Sequence, residues 1–424
     1  MALNLCSIMG QRFFMIEAVQ EVTFNVESSL SKSAGKKRGM VMLKKQGIVC
    51  FLSMLFLVGI GFAKEVEAKD ITVKDVVVES GIDKELSELN EPVIVSNGRV
   101  LLPIRKVGEA LNLKVYWDQP SKTAYLYGVN KEIKMTAGSK TAFVNNNPTS
   151  LEVAAKVING KTYIPLKFVA TATGESVVWN SSLKTLTVSR TYAMGSDKTI
   201  TYWINLKTGE LSKAESREAG AKIGKLDTKL SVLKDFYVSQ LSDSSSYIAY
   251  NQISGPSGTV KVSGQAMVVN DKLIDQANFS VMGYYPVSNN KKAQDNVLIT
   301  DGKHAELLNK EGKVQTSIDL TEIMGIDQVY MIEEYNKDFM ILREYNSQHL
   351  IVYDFKEEKG TYVHQAINLP AYEKDYLITA GLDRNNEMEY DHIILFDKVD
   401  SNGDLLFKYK SKQTDKTNTY KLAR

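Results

Sequence analysis

From Glu91 to the C-terminus the chain is written mostly in period-two alternation, one apolar residue and then one polar, interrupted by Gly, Asn or Asp. That pattern predicts half-buried strands joined by tight turns. Two short segments depart from it. Ile104, Val107, Ala110 and Leu111 recur at helical spacing, as do Leu166, Val169, Ala170 and Thr173. Each segment follows a proline, Pro103 or Pro165, whose fixed φ suits a first helical turn. The two helices should stop at Asn112 and Gly174, the residue types that tolerate a left-handed cap.

The departures are alike because the chain repeats itself. At an offset of 62, Val95 falls on Val157, Asn97-Gly98 on Asn159-Gly160, Pro103 on Pro165 and Val107 on Val169. Ala110 then meets Ala172, Val115 meets Val177, Trp117 meets Trp179, and Lys122-Thr123 meets Lys184-Thr185. Asn-Gly between apolar alternations predicts a two-residue hairpin with both turn residues at positive φ. One unit is therefore hairpin, helix, hairpin, in copies at 95–127 and 157–189, with a further hairpin between them. One helix cannot cover a sheet alone, so the copies should pack as a single α+β domain over 91–190.

Residues 69–90 read as a linker and 191–246 as a junction holding one hairpin, with Lys213–Ser239 polar and weakly helical in spacing. From 247 to 424 short strands and turn signals predict an all-β domain: a sandwich, a barrel or a propeller. Segment lengths there resemble propeller blades of about 40 residues, of which about five would fit.

The composition is globular, 43% hydrophobic and 24% charged, over 424 residues. A formal charge of +2 gives no global field for nucleic acid. The N-terminus changes the picture. From Met42, a Lys44-Lys45 pair, an apolar run from Ile48 to Ala63 and a small residue at Ala68 spell a secretory leader over 42–68. The run is about 16 residues, short for a membrane span. Residues 1–41 precede it and read as a misplaced start or a disordered tail. Removing 1–68 takes eight Lys/Arg and five Asp/Glu and leaves a net charge of −1. It also takes both cysteines, Cys6 and Cys50, so no disulfide would brace the mature chain.

Catalytic motifs are missing: the chain has no G-x-S-x-G, H-E-x-x-H, phosphate loop or G-x-G-x-x-G. No catalytic, cofactor-binding or metal-binding residue is assigned, and no cofactor is expected. His304, His349, His364 and His392 are scattered singly and read as surface histidines. Asp383, Asn385, Glu387 and Asp391 alternate along a loop as calcium ligands would, but Met388 stands where the sharp-turn glycine belongs. Asp400–Asp404 is a second acidic candidate, already explained as a hairpin turn through Asn402-Gly403. Trp117 and Trp179 could stack sugars, but their matched strand-end positions suit a core or rim role better. The basic tail from Phe407 to Arg424 could touch anionic wall polymers, against the plainer reading of a frayed end.

The doubled pattern of apolar strand, Pro, short helix and a strand ending in Trp-Asp or Trp-Asn before Lys-Thr resembles the copper amine oxidase N-terminal domain, also called a stalk domain, of secreted proteins of Gram-positive spore-forming bacteria. The resemblance covers about 91–190. It implies a small antiparallel sheet wrapped on helix, serving as a stalk. The oxidase chemistry does not carry over. It needs a closely spaced His pair and an Asn-Tyr-Asp/Glu motif, whereas Tyr353-Asp354 and Tyr390-Asp391 follow Val352 and Glu389. The expectation is a non-enzymatic secreted or cell-surface protein whose β-rich half binds a wall polymer or envelope protein. No nucleic-acid partner is expected, and the membrane is met only through an uncleaved leader. The alternatives are a wall or polysaccharide hydrolase with a hidden acidic site and an anchored sensor ectodomain.

Overall fold

The computed structural model describes residues 69–424 except 72–74, 81–82, 89–92, 181, 183–184, 228–231, 255–259, 283–291, 294–295 and 380–391. The expected leader and the residues before it, 1–68, lie outside the described residues.

Both Asn-Gly pairs turn hairpins, with Asn97 at φ 49°, Gly98 at 72°, Asn159 at 49° and Gly160 at 74°. Strands Val93–Ser96 and Arg99–Pro103 flank the first turn; Lys156–Ile158 and Lys161–Pro165 flank the second. The two hairpins join edge to edge, Tyr163 opposite Pro103 and Ile164 opposite Leu102, in one five-stranded sheet. Helix α1, Ile104–Leu111, starts after Pro103 and ends at Asn112 in the left-handed conformation. Helix α2, Leu166–Thr173, starts after Pro165 and ends at Gly174, also left-handed. Asn and Gly thus satisfy the same backbone requirement.

After α1 the chain runs through a five-stranded meander: Lys114–Asp118, Thr123–Gly128, Lys131–Thr136, Thr141–Val144 and Asn147–Ser150. After α2 come Val177–Asn180 and Thr185–Ser189. Both helices bury their apolar stripe in one core: Val107 and Leu111 from α1, Leu166 and Val169 from α2, Leu126, Ile133 and Met135 from the meander, and Leu186 and Val188.

The segment 69–90, read as a linker, is not one. Lys69–Ile71 pairs with Val93–Ser96. Asp75–Ser80 lies parallel to Thr185–Ser189 and antiparallel to Asp83–Glu88, so the segment supplies strands to two sheets.

From Tyr192 onward five antiparallel sheets follow one another, each with its strands in chain order. The first holds Tyr192–Asp197, Ile200–Asn205, Glu210–Glu215 and Ala221–Lys225. The second runs from Val232–Gln240 to Lys272–Met282, the third from Lys292–Ala293 to Val314–Asp319, and the fourth from Tyr330–Tyr335 to Lys359–Tyr362. The fifth is three-stranded, Ile394–Val399, Leu405–Lys410 and Thr417–Leu422. Four apolar clusters join each sheet to the next, from Tyr202, Ile248 and Ala266 between the first pair to Ile341, Val352 and Phe407 between the last. The junction reading of 191–246 is corrected accordingly: the region is a full sheet and the opening of another. The weak helical spacing of Lys213–Ser239 misled: the stretch contains the end of Glu210–Glu215, the strand Ala221–Lys225 and most of Val232–Gln240. Lys213 is buried because Asp271 at 2.6 Å and Glu215 at 2.9 Å pair with its Nζ.

The α+β domain and the first sheet are tied by polar contacts. Trp203, buried, donates from Nε1 to the Asn112 carbonyl at 2.8 Å, and Asn112 Nδ2 donates to the Tyr192 carbonyl at 2.8 Å. The backbone amide of Gly220 donates to Gly128, and its carbonyl accepts from Asn130, both at 2.9 Å. A cap residue therefore serves twice, ending α1 and anchoring the next sheet.

Candidate functional site

A buried polar cluster lies in the fourth sheet. Glu344 ends the strand Phe339–Glu344, and His349 precedes the strand Leu350–Asp354. Arg343 pairs with Leu350, so the register sets Glu344 opposite His349. On the other side Ile351 pairs with Tyr362, which sets His349 opposite His364. Tyr330 faces Glu344 across the remaining strand pair. Tyr330, Glu344, His349 and His364 thus form one row across the sheet, and the histidine rings lie 4.4 Å apart.

Glu344 accepts hydrogen bonds from Gln328 Nε2 and the Tyr362 hydroxyl, each at 2.8 Å, and from the Ser347 hydroxyl. His349 contacts the Leu377 carbonyl through Nε2 at 2.7 Å. A carbonyl only accepts, so Nε2 carries the proton and Nδ1 faces Glu344 Oε2 at 3.7 Å. His364 is only 3% exposed, and its Nδ1 has no hydrogen-bond partner. Burial, aided by His349 and Lys374, pushes its pKa down to about 4. Burial and the hydrogen bond to Glu344 push the Tyr362 hydroxyl well up. The arrangement surrounds the Glu344 carboxyl with three uncharged donors and keeps the His364 imidazole uncharged.

The reading of four isolated surface histidines is therefore corrected for two of them. The signal was present: a histidine stands at each end of the hairpin His349–His364, and hairpin register brings the ends together. His304 is exposed beside Asp301 and Asp319, and His392 contacts the Lys410 carbonyl at 3.0 Å. Among the described residues no group of three or more His, Cys, Asp or Glu side chains is placed to hold a metal ion.

A second feature is a cleft of about 200 Å³ in the α+β domain, beside α2. Val100, Leu151, Val153, Pro165 and Phe168 line it, with Arg99, Glu152 and Lys167 among its charged residues. Arg99 and Glu152 form an exposed ion pair there. In the β-rich part, Asp275 and Glu306 meet across the second and third sheets, and burial raises the pKa of both carboxyls. Asp275 Oδ2 is buried without a partner.

The calcium candidates Asp383, Asn385, Glu387 and Asp391 lie outside the described residues. At Asp400–Asp404, Asp400 Oδ1 accepts from the amides of Asn402 and Asp404, and Asp404 is bound to Lys421 at 2.7 Å. That stretch is a closed turn with its carboxylates committed. Trp117 and Trp179 both pack on the core of the α+β domain, half-buried at strand ends. The tail is not frayed. It forms the last two strands, and the Arg424 guanidinium lies over Phe339 at 4.4 Å and donates to Asp354 at 2.8 Å.

The repeated hairpins, the left-handed caps and the paired tryptophans all fall inside one stretch that a known family also contains. Residues 82–188 match the copper amine oxidase N-terminal domain. The matched model describes that N-terminal domain alone, so amine oxidase activity gains no support from it. No curated protein matches the chain. Among solved structures, the WD40 domain of SCAP from fission yeast is 12% identical, with 73% of this chain and 61% of that one covered at a TM-score of 0.24. Virginiamycin B lyase from Staphylococcus aureus is 9% identical, with 73% and 94% covered at 0.22. Apo AztD from Citrobacter koseri is 10% identical, with 66% and 75% covered at 0.21.

Proposed function

We propose that the chain is a non-catalytic binding protein of the cell surface, exported through the leader at 42–68. In this reading the copper amine oxidase N-terminal domain acts as a stalk made of two repeats, and the five sheets are propeller-like blades that present the binding surface. The supporting observation is the tie at Asn112. Its carbonyl accepts from Trp203 and its amide group donates to Tyr192, so the domain and the first sheet are joined by more than the chain. A flexible tether would need no such contact; a spacer that orients a displayed body does. The partner is then a wall polymer or an envelope protein.

Fractionating the producing cell tests this. The protein should appear in the wall or medium fraction with a mature N-terminus near Lys69. Retention in the cytoplasm with residues 1–68 intact would end the reading, and membrane retention with the leader intact would favour an anchored sensor instead. The pair Asp275 and Glu306 favours a second reading, a polysaccharide hydrolase, because raised carboxyl pKa values suit proton donors. Release of reducing ends from wall material, lost in Glu306→Gln, would establish it.

A further inference from the structure

The cleft beside α2 is built where three parts of the chain meet. Val100 comes from the strand Arg99–Pro103, Leu151 and Val153 from the stretch after the meander, and Pro165 and Phe168 from the second hairpin and the start of α2. Leu151, Val153 and Pro165 are buried, and Val100 and Phe168 are half-buried walls that also pack on the domain core. At about 200 Å³ the cleft has room for one aromatic ring, since apolar cavities of about 150 Å³ hold benzene.

The repeat separates what the fold demands from what it does not. At the offset of 62, Pro165 answers to Pro103, and both open a helix. Phe168 answers to Lys106, and Thr171 to Glu109. On α1 those two side chains form an exposed ion pair, Lys106 Nζ to Glu109 at 2.7 Å. On α2 the same positions carry a ring and a hydroxyl, and both line the cleft. One copy folds with charges at this face, so the apolar wall in the other copy is not a requirement of the unit.

The rim carries the charge. Of the residues that line the cleft, Arg99 and Lys167 are cations and Glu152 is the one acid. Arg99 donates to Glu152 from Nε, and Lys167, at longer range, helps Arg99 hold that carboxyl below its ordinary value. Glu152 thus offsets one cation and leaves a single positive charge at an apolar cavity. We infer that the cleft binds a small aromatic monocarboxylate, its ring against Phe168 and its carboxylate at Arg99 and Lys167. Aromatic rings pack on one another edge-to-face or offset, which Phe168 permits. Guanidinium and ammonium groups take up a carboxylate through charge-assisted hydrogen bonds. An uncharged ring would leave the rim charge unanswered, and a polyanion would exceed it. The ligand is held by the stalk domain itself, apart from the surface that the five sheets display.

Titration of the full chain followed by saturation-transfer NMR tests this, with 3-phenylpropanoate as the probe and 3-phenylpropanamide as its uncharged counterpart. The acid should bind saturably with a Kd of about 1 mM, as suits a ligand of about eleven non-hydrogen atoms, and the amide about tenfold more weakly. Lys167→Gln should weaken the acid about threefold to fivefold, the worth of an exposed charge contact, and leave the amide unchanged. Lys167 is exposed, so this variant should keep the parent's melting temperature and report on binding alone. Phe168→Lys gives α2 the residue that α1 carries and should abolish binding of both probes. Four results would overturn the inference: no saturable binding of the acid up to about 10 mM, equal affinity for acid and amide, equal affinity of the acid for the parent and either variant, or binding of a phenylalanine-terminated peptide with none of the free acid.

Discussion

Buried, neutral His364 makes stability depend on pH in a calculable way. Its pKa is about 4 in the folded protein, against 6.5 for a free imidazole. Between those values the unfolded chain holds a proton that the folded chain does not, so stability falls as pH falls and levels off below pH 4. At about 1.4 kcal/mol per pKa unit, the full loss is about 3 kcal/mol. Most carboxylates stay ionised above pH 5, so the clean window is pH 7 to 5, where this one group accounts for about 2 kcal/mol. The groups facing it fix the sign. Glu344 favours the charged imidazole, but His349 and Lys374 oppose it and burial dominates. Urea unfolding followed by far-ultraviolet circular dichroism at pH 7 and pH 5 measures the difference. In His364→Leu the loss between the two pH values should shrink by about 2 kcal/mol. If parent and variant lose the same stability, the imidazole is not held neutral and the account of the cluster is wrong.

Further outcomes follow from packing and pairing. Gly264→Ala would drive a Cβ into the Tyr250 ring, so thermal melts should show a loss of about 1–3 kcal/mol. Trp203→Ala removes a side chain 1% exposed together with its bond to Asn112, and should cost about 3–5 kcal/mol with earlier proteolysis between residues 190 and 200. Arg343 is fully buried, pairs with Glu333 and donates to the carbonyls of Gln348 and Ile394, each at 2.7 Å. Arg343→Met strands Glu333 and should cost about 3–5 kcal/mol by urea unfolding. Dialysis against cupric ion followed by chelator washing should leave well under one copper per chain, with no peroxide released from an amine.

What could be read from sequence was what local chemistry decides. Asn97-Gly98 and Asn159-Gly160 demand positive φ, Pro103 and Pro165 open helices, and Asn112 and Gly174 close them; none needs a distant partner. Misreadings came where the partner lay far along the chain. Asp75–Ser80 looks like linker because the strand it joins, Thr185–Ser189, is more than 100 residues away. Lys213 looks solvent-facing until Asp271 is placed beside it. The row through Glu344, His349 and His364 is a sum of consecutive hairpin registers, and each register depends on a turn that composition alone does not fix.

The parallel pairing of Asp75–Ser80 with Thr185–Ser189 has a mechanical meaning. After the short strand Lys69–Ile71 the chain runs along Asp75–Ser80, and it leaves the α+β domain on the strand alongside, Thr185–Ser189, both running the same way. Tension applied before Asp75 and after Ser189 pulls these neighbours lengthwise past each other. The rungs from Asp75–Thr185 to Glu79–Ser189 are then loaded together in shear instead of opening one at a time like a zip. An antiparallel pair with the same end attachments would peel. A domain clamped this way resists being drawn out while its neighbours stay in place.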